Sequence, residues 1–536
     1  MMAGRTKLMA DVRSERPHFF HSAIRKAFYA LILGATVNSF AQKQPAAASL
    51  SPPAVSTPRI NGPSVYGVRS SHPFLYRIPT VGARPLRFSA RGLPAGLKLN
   101  AETGIISGRA PDRGTYTVHL GARNSYGNAT RILRIVVGSA LALTPPMGWS
   151  SWYMAHTDVS DALIRAQADA LISTGLADHG YSYVNIDDGW NINPNSKDAA
   201  VNGQARDEKA NLRPNANFPD MKGLTDYLHG NGLKGGIYIS PGPRTCAGYE
   251  GSYEHEQQDA RLFAAWGFDF LKYDLCSYAD FLQGKHGRED LIKPYRLMGS
   301  ILASLDRDMV FNLCEYGLGD VWEWGREVGG NFWRTSDDVG SGIDGSLWRS
   351  MDAYGFGEAG KEQSAGPGGW NDPDNILLGE ILWHDKLVPT PLTHDEQYTW
   401  MTLWVMLDAP LILGSDLTKL DSFTLALLTN DEVIAVNQDA LGKQAARLTR
   451  NDGIEIWEKD LDDGSKAVAF FNRGDSTAPA LLQRSALKIT DRWRIRDLWE
   501  HKDLGEFEQS FQANVPAHGT KMLRIRPSRP HSAWRN

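Results

Sequence analysis

The stretch FDFLKYDLCSY, residues 268–278, ends an apolar and aromatic run with a single carboxylate, Asp274. In a strand, residues i, i+2 and i+4 share one face, so Lys272, Asp274 and Cys276 are predicted to point the same way. An ammonium group, a carboxylate and a thiol at the tip of a buried strand fit two interpretations. One is an ion pair beside a surface loop, and the other is part of an active site.

The segment around this strand, residues 143–440, alternates apolar β-like runs with amphipathic helical stretches. The strand candidates are MGW (147–149), YVNI (183–186), GGIYI (235–239), FDFLKY (268–273), MVFNL (309–313), NFWRT (331–335), GGW (368–370) and PLILG (410–414). Several of the helical stretches end in Gly, a common residue just after a helix. Eight strands that alternate with helices over about 300 residues predict a (β/α)8 TIM barrel.

β-Rich patterns flank the predicted barrel on both sides. Residues 58–138 contain short alternating runs separated by Gly, Pro and Asn, which is typical of a small β-sandwich, and residues 446–526 return to the same pattern. We therefore predict a multidomain chain with an N-terminal β-sandwich, a central TIM barrel and a C-terminal antiparallel β-sandwich. Residues 42–57 are predicted to be a linker and residues 527–536 a disordered tail.

The N-terminus has the pattern of an export signal. Basic residues precede the apolar run AFYALILGATV (27–37), and small residues then occupy the −3 and −1 positions of a cleavage site after residue 41. Residues 1–41 are therefore predicted to be a signal peptide, starting at Met1 or Met9, of a periplasmic or extracellular protein. No stretch is long and apolar enough to predict a permanent membrane span.

Charge and composition narrow the class of partner. A net charge of −4 favours neither nucleic acid nor an anionic membrane as a partner. The 16 tryptophans suit stacking on sugar rings, although Trp is also ordinary core material. Three cysteines are an odd number, so at most one pair can form in an oxidising compartment and one thiol is left over. The sequence does not indicate an oligomeric state.

Acidic residues follow five of the predicted strands, at the barrel edge where TIM barrels place their chemistry. In chain order, the polar and aromatic residues near the strand ends are Trp152, Asp187, Asp188, Tyr238, Lys272, Asp274, Glu315, Arg334, Asp337, Asp338, Asp372 and Asp374. One acidic strand end is usually a solvated loop. Five on the same side favour an active site over surface decoration.

Carboxylates together with tryptophans favour glycoside hydrolysis, with a carbohydrate as the partner. Metal-dependent barrel hydrolases usually supply histidines, and the chain has no HxH pattern, so we expect neither a metal nor another cofactor. Glycoside hydrolysis needs one ionised and one protonated carboxyl group. Lys272 is expected to keep Asp274 ionised, and a second acid, more shielded and without such a partner, is expected to keep its proton.

Residues 143–526 resemble the retaining α-galactosidases of glycoside hydrolase family 27. The matching motifs are TPPMGWSSW, YVNIDDGW, PGPRTCAGYEGSYEHEQQDA, WGFDFLKYDLC, LCEYG, FWRTSDD, AGPGGWNDPD, and APLILGSDL with DEVIAVNQDALG. Within residues 58–138, the segment LPAGLKLNAETGIISGRAPDRGTYTVHLGARN resembles immunoglobulin-like modules of bacterial exported enzymes. We interpret this module as a spacer in preference to a carbohydrate-contact module.

The resemblance implies a role for each candidate residue. The pattern K-x-D-x-C makes Asp274 the nucleophile, and the acid/base four residues beyond the arginine of the WR motif is Asp338 rather than the adjacent Asp337. The implied substrate contacts are Trp152, Asp187, Asp188, Tyr238, Lys272, Glu315, Arg334 and Asp374. The family also implies a disulfide between Cys246 and Cys276, which leaves Cys314 as a buried free thiol.

The expected activity is exo-acting, retaining release of terminal α-linked D-galactose by double displacement. Glu315 is expected to crowd a 2-acetamido group, which favours galactose over N-acetylgalactosamine, and the intact Asp187–Asp188 pair favours a sugar with a 6-hydroxyl. Asn375, where many relatives carry Met, leaves the fine shape of the pocket open. The first alternative is another exo-glycosidase on this scaffold: an α-N-acetylgalactosaminidase, a β-L-arabinopyranosidase or an isomalto-dextranase. The second is an inactive carbohydrate-binding protein, against which the presence of both carboxylates argues.

Overall fold

The computed structural model describes residues 55–282, 287–489 and 492–528. The predicted signal peptide, the predicted linker up to residue 54 and the tail from residue 529 lie outside the described residues. The described residues all belong to one unit of the chain. Among them, no helix combines the length and the apolar character needed to cross a membrane.

Nine short strands form an N-terminal β-sandwich. They are β1 (Arg59–Ile60), β2 (Val65–Val68), β3 (Pro73–Arg77), β4 (Thr80–Val81), β5 (Arg87–Arg91), β6 (Leu97–Leu99), β7 (Ile105–Arg109), β8 (Gly114–Asn124) and β9 (Gly127–Val137). The sheet β2-β9-β8-β5 and the sheet β3-β7-β6 enclose an apolar core that includes Phe74, Ile106, Val118 and Leu133. The alternation of buried and exposed residues along β8 and β9 is the period-two pattern of a sheet with one face in the core.

Eight parallel strands form the central sheet and follow one another in chain order, as predicted for a TIM barrel. They are β10 (Met147–Ser150), β11 (Tyr183–Asn185), β12 (Lys234–Ile239), β13 (Phe270–Asp274), β14 (Val310–Cys314), β15 (Phe332–Arg334), β16 (Trp370–Asp372) and β19 (Leu411–Leu413). β19 pairs with β10, and a parallel bridge between Ile376 and Leu413 joins the segment after β16 to β19. This bridge links the two ends of the strand order. All the strands therefore direct their C-terminal ends to one edge.

Helices connect and cover these strands. They are α1 (Trp152–Ala155), α2 (Asp161–Ser173), α3 (Met221–Gly230), α4 (Glu256–Trp266), α5 (Tyr278–Phe281), α6 (Arg288–Ala303), α7 (Val321–Trp324), α8 (Leu347–Phe356), α9 (His394–Met406), α10 (Ser422–Leu428) and α11 (Asp431–Asn437). Local sequence signals set their ends: Thr393 and Glu396 form a capping box at the start of α9, and Gly267, with φ 102°, ends α4.

A hairpin that the strand pattern did not predict follows β16. Its strands are β17 (Glu380–Trp383) and β18 (Lys386–Pro389), and its two-residue turn consists of His384 and Asp385, both with positive φ. Two consecutive residues with positive φ are the geometry of a type I′ turn, whose twist suits a tight hairpin. Because the hairpin belongs to the loop after a barrel strand, it lies at the C-terminal edge of the barrel.

The N-terminal β-sandwich docks against the opposite end of the barrel. Arg69 pairs with Asp308 at 2.5 Å and donates to the carbonyl oxygen of Ala303 at 2.6 Å, at the C-terminus of α6. A cavity of about 840 Å³ lies at this junction, lined in part by Tyr66 and Lys234. It lies away from the acidic strand ends, because Lys234 is the first residue of β12. The module is therefore a docked domain and not only a spacer.

The C-terminal region forms the predicted antiparallel β-sandwich. Its strands are β20 (Ala446–Asn451), β21 (Ile454–Asp460), β22 (Lys466–Asn472), β23 (Ala478–Gln483), β24 (Trp493–Asp497), β25 (Lys502–Phe507), β26 (Ser510–Val515) and β27 (Thr520–Pro527). The sheet β20-β21-β22-β27-β24-β25 shares an apolar core with the pair β23–β26. Lys459 of β21 forms a fully buried ion pair with Asp408, the second residue after α9, which ties this domain to the barrel.

Candidate active site

Asp274 ends β13 with its carboxylate buried at the C-terminal edge of the barrel, and the residue is 5% exposed. Tyr238 of β12 donates its hydroxyl to Oδ2 at 3.1 Å, and Tyr316, which follows β14, donates to Oδ1 at 2.6 Å. Burial raises the pKa of Asp274 to about 6, while the charge of Lys272 and the hydrogen bond from Tyr316 oppose this rise. The group is therefore mainly ionised at neutral pH and becomes protonated in mild acid.

Among the described residues, the direct ionic partner of Lys272 is Asp187 and not Asp274. The Nζ atom of Lys272 lies 2.8 Å from Oδ2 of Asp187, which also accepts a hydrogen bond from Ser150 at 3.3 Å. Lys272 still lowers the pKa of Asp274 through its charge. Lys272 therefore favours the ionised form of Asp274 through its charge and not through a direct contact. Its hydrogen bond is made to Asp187.

Asp187 and Asp188 form a buried pair directly after β11. The backbone N–H of Asp188 donates to Oδ1 of Asp187 at 3.0 Å, and the carboxylate of Asp188 accepts from the N–H groups of Gly189 at 2.8 Å and Ala247 at 2.9 Å. Burial nevertheless raises the pKa of Asp188 to about 7. These contacts fix the orientation of both carboxylates.

A disulfide joins Cys246, in the loop after β12, to Cys276, two residues beyond Asp274. The hydroxyl of Tyr238 lies 3.1 Å from Sγ of Cys276, so the bridge also borders a hydrogen-bond partner of Asp274. Cys314 is the free, buried thiol. Asp274 lies close to both bridged sulfurs, but these are bonded to each other and offer no thiolate, so this cluster does not fit a metal site.

Arg334 ends β15 and holds two acids. Its Nη1 atom lies 3.0 Å from Oδ1 of Asp338 and 3.3 Å from Oδ1 of Asp374. The side chain of Asp338 is 39% exposed, whereas the adjacent Asp337 is exposed and the guanidinium of Arg334 is buried. Asp338 is thus less shielded than Asp274 and pairs with the cation Arg334. This differs from the expectation of a shielded second acid without such a partner. The reason is that Asp338 lies in the loop after β15 and not on the strand itself.

Asp374 lies in a constrained turn after β16. Its φ is 93°, which is unusual for a residue with a side chain. The hydroxyl of Tyr153 at 2.5 Å and the N–H of Val339 at 2.9 Å both donate to Oδ2, and the N–H of Asp374 donates to Asp372 at 3.0 Å. Since Val339 directly follows Asp338, Asp374 fixes the start of the loop that carries the second acid.

Glu315 directly follows β14 and is fully buried. Its carboxylate oxygens accept no hydrogen bond from the described residues within normal geometry. Burial raises the pKa of Glu315 well above its usual range, while the charge of Arg334 opposes this rise and that of Asp274 adds to it. The carboxyl group therefore lies near both residues, and its substrate contact stays a prediction. The next residue, Tyr316, contacts Asp274 directly.

The remaining predicted contact, Trp152, begins α1 at the same edge and is half-buried, with its ring 4.8 Å from that of His156. Sequence reasoning missed two hydroxyl donors, Tyr153 and Tyr316. Both are tyrosines within three residues of a strand end, which is the only signal the sequence offered.

These features define a class of protein: a TIM barrel whose active-site edge carries several buried carboxylates. Residues 144–439 match the family model described as "Alpha galactosidase A". Residues 451–525 match the "Alpha galactosidase C-terminal beta sandwich domain", and residues 50–138 match an Ig domain model. The chain belongs to the α-galactosidase family, glycoside hydrolase family 27.

Individual relatives agree with this family. The chain is 36% identical to an α-galactosidase of Cyamopsis tetragonoloba over 74% of its length and 89% of the relative. A crystal structure titled a "putative alpha-galactosidase" from Bacteroides fragilis has a TM-score of 0.80 and 36% identity and covers 88% of this chain and 98% of that one. A β-L-arabinopyranosidase of Geobacillus stearothermophilus has a TM-score of 0.63 and 26% identity, over 73% and 98% of the two chains.

Proposed function

We propose that the protein is an exo-acting, retaining α-galactosidase that releases terminal α-linked D-galactose, with Asp274 as nucleophile and Asp338 as acid/base. The observation that carries this proposal is the contrast between the two carboxyl groups. Asp274 is buried and oriented by two tyrosine hydroxyls, whereas Asp338 is partly exposed on a neighbouring loop. A nucleophile must be held in place, while an acid/base must reach both the leaving group and water.

In the first step, Oδ of Asp274 forms a bond to the anomeric carbon while the bond from that carbon to the leaving oxygen breaks. Asp338 gives its proton to the leaving oxygen. In the second step, Asp338 takes a proton from water, the water oxygen bonds to the anomeric carbon, and the Asp274 carboxylate leaves. Two inversions at one carbon retain its configuration.

The remaining predicted contacts are assigned to the galactose ring. The family resemblance assigns Asp187 and Asp188 to its 4- and 6-hydroxyls, and both carboxylates are fixed at the strand edge and retain acceptor capacity. Trp152 offers a half-buried ring for stacking on the apolar face of the sugar. Glu315 keeps the substrate contact predicted for it, and Tyr316, whose hydroxyl contacts Asp274, is added to the site.

The proposed domains are those of the sequence prediction: residues 58–138, 143–440 and 446–526. We further propose that the protein is exported and that cleavage after residue 41 removes the signal peptide. The Cys246–Cys276 disulfide supports this, because such bonds persist in oxidising compartments. Mass spectrometry of the secreted protein is expected to give a mature N-terminus at Gln42. A mature protein that retains residues 1–41 would contradict it.

The decisive experiment measures hydrolysis of p-nitrophenyl α-D-galactopyranoside by the wild type and by Asp274→Ala. We expect the wild type to cleave, the variant to be inactive, and azide to restore turnover with β-galactosyl azide as the product. The same assay with p-nitrophenyl β-L-arabinopyranoside and the α-N-acetylgalactosaminide tests the alternative substrates. A preference for either would overturn galactose as the substrate while leaving the double displacement intact.

Asp337 offers a matched control for the acid/base. We expect Asp338→Ala to lose activity on substrates with a poor leaving group and Asp337→Ala to keep it, because Asp338 is the one of these two adjacent aspartates that pairs with Arg334. The opposite result would move the acid/base role to Asp337.

A further inference from the structure

Two aromatic rings pack against the backbone of the loop that carries Asp338. A Cβ placed on Gly340 would lie 2.2 Å from the ring of Tyr153, and one placed on Gly342 would lie 2.8 Å from the indole of Trp383. Each glycine thus lets a ring pack directly against the backbone. Trp383 belongs to β17, the first strand of the hairpin after β16.

Asp338 and Gly342, the glycine that contacts Trp383, belong to the same short loop. Residues Val339–Ser341 form a single 3₁₀ turn, and the N–H of Ser341 donates to the carbonyl oxygen of Asp338 at 3.1 Å. Gly342, four residues beyond Asp338, caps this turn. The indole therefore packs on the same short loop that carries Asp338.

Trp383 is half-buried and packs against the main core on one side. Ile381, two residues before it on β17, is completely buried, and the type I′ turn at His384 and Asp385 closes the hairpin beyond it. The ring of His384 makes an edge contact with the indole, with the centroids 4.7 Å apart. A partly exposed indole on such a hairpin is suited to stacking on the C–H-rich face of a sugar.

We propose that Trp383 forms the wall of the site on the leaving-group side and stacks against the sugar to which galactose is attached. This inference rests on the proposed role of Asp338. An acid must lie within hydrogen-bond distance of the glycosidic oxygen, so the leaving group extends from the position of Asp338. The ring that packs on the Asp338 loop is then next to that leaving group, and its preferred partner is a pyranose ring.

The test compares kcat/KM for two substrates that need the same proton from Asp338. Melibiose has a glucose leaving group, and methyl α-D-galactopyranoside has methanol, which has no ring to stack. We expect Trp383→Ala to lower kcat/KM for melibiose at least about ten-fold and to change that for the methyl galactoside less than two-fold. We expect Trp383→Phe, which keeps a flat ring, to recover most of the lost melibiose activity.

Leu387→Ala is the matched control, because Leu387 lies on the other strand of the hairpin, opposite Leu382. It loosens the hairpin without removing the indole, and we expect no change in the ratio of the two activities. Equal losses on both substrates in Trp383→Ala would assign Trp383 only to holding the Asp338 loop and would overturn the proposal. So would an undiminished melibiose activity, or a changed ratio in Leu387→Ala. A wild type that cleaves neither substrate would instead overturn the proposed function itself.

Discussion

Charged side chains cluster at both ends of the barrel, but their balance differs. At the C-terminal edge, the partly buried Lys272 and the buried Arg334 lie among the buried acids Asp187, Asp188, Asp274, Asp372 and Asp374. At the other end, where the N-terminal domain docks, the acids meet at least as many basic groups: Asp178 with Arg77 and Arg84, Asp269 with Arg307 and His229, and Asp308 with Arg69 and His72.

This difference in charge balance separates the end of the barrel where a domain docks from the end that carries the candidate active site. The pairs of Asp178 and Asp308 at the docking end join two domains. At the catalytic edge, burial raises the pKa of Asp274 to about 6 and those of Asp188 and Asp372 to about 7, and the charges of neighbouring acids add to each rise. Such groups are costly to bury as anions, and active sites commonly keep them because the chemistry requires it.

The largest expected effect is that of Asp274→Asn, which removes the proposed nucleophile and one costly buried anion. We expect kcat to fall at least about 10⁴-fold. The folded pKa of about 6 lies above the usual value near 3.9, so the stability that this group contributes is present below about pH 4 and is lost as the pH rises through 6.

The asparagine variant does not titrate and avoids this loss. We expect it to be more stable than the wild type at pH 7.5, by of order 2–3 kcal/mol, and the gap to close towards pH 4. Urea unfolding at both pH values measures this. An Asp274→Asn variant less stable than the wild type at pH 7.5 would show that burial of the ionised Asp274 does not lower the free energy of unfolding.

Lys272→Met is the next largest change, because it leaves Asp187 buried without its cation. We expect a loss of about 3–5 kcal/mol in the free energy of unfolding at neutral pH. Since Lys272 also lowers the pKa of Asp274, the acidic limb of the kcat/KM profile should move above pH 6. That limb reports the ionisation of Asp274, whose protonated form cannot attack.

Lys361→Met is the control for this prediction, because Lys361 pairs with the fully buried Glu358 at 2.9 Å but is not a group that shifts Asp274. It should lose stability without moving the acidic limb. If both variants move the limb equally, the effect belongs to general loosening of the barrel and not to the charge of Lys272.

The disulfide at the catalytic edge is expected to contribute slightly less. Cys246 and Cys276 are 30 residues apart in the chain, so replacing both with Ala should lower the free energy of unfolding by about 3–4 kcal/mol. Thermal unfolding of the double variant with and without reductant measures this. Reductant should lower the Tm of the wild type and leave the variant unchanged, and a wild-type Tm insensitive to reductant after full reduction would contradict the prediction.

The smallest expected effects belong to the N-terminal domain, where the change at its docking contact is the larger of two. Arg69→Ala removes the pair with Asp308 and the bonds to the carbonyl oxygens of α6, so we expect a loss of about 1–3 kcal/mol with unchanged kcat. Arg87→Ala, which breaks an exposed pair with Glu102, should cost under about 0.5 kcal/mol. A large fall in kcat for Arg69→Ala would contradict this prediction and would show that the docking end affects the reaction at the opposite edge of the barrel.

The sequence predicted the three-part architecture because each signal is local. Period-two alternation marks the sandwich strands, and apolar runs between amphipathic stretches mark the barrel. It also placed Asp274 at a strand tip, because the strand FLKYD ends at this residue. The hairpin that carries Trp383 escaped prediction, because the run EILW is too short to separate a strand from a buried loop by periodicity.

What the sequence by itself determined is which residue types stand at the strand ends and at one edge of the barrel. Only the tertiary structure decided which of them meet. In the structure Lys272 pairs with Asp187, Tyr316 donates a hydrogen bond to Asp274, and Asp338 is a more exposed acid than Asp274. The physical reason is that pairing and burial depend on segments far apart in the chain, whereas periodicity depends on neighbours alone.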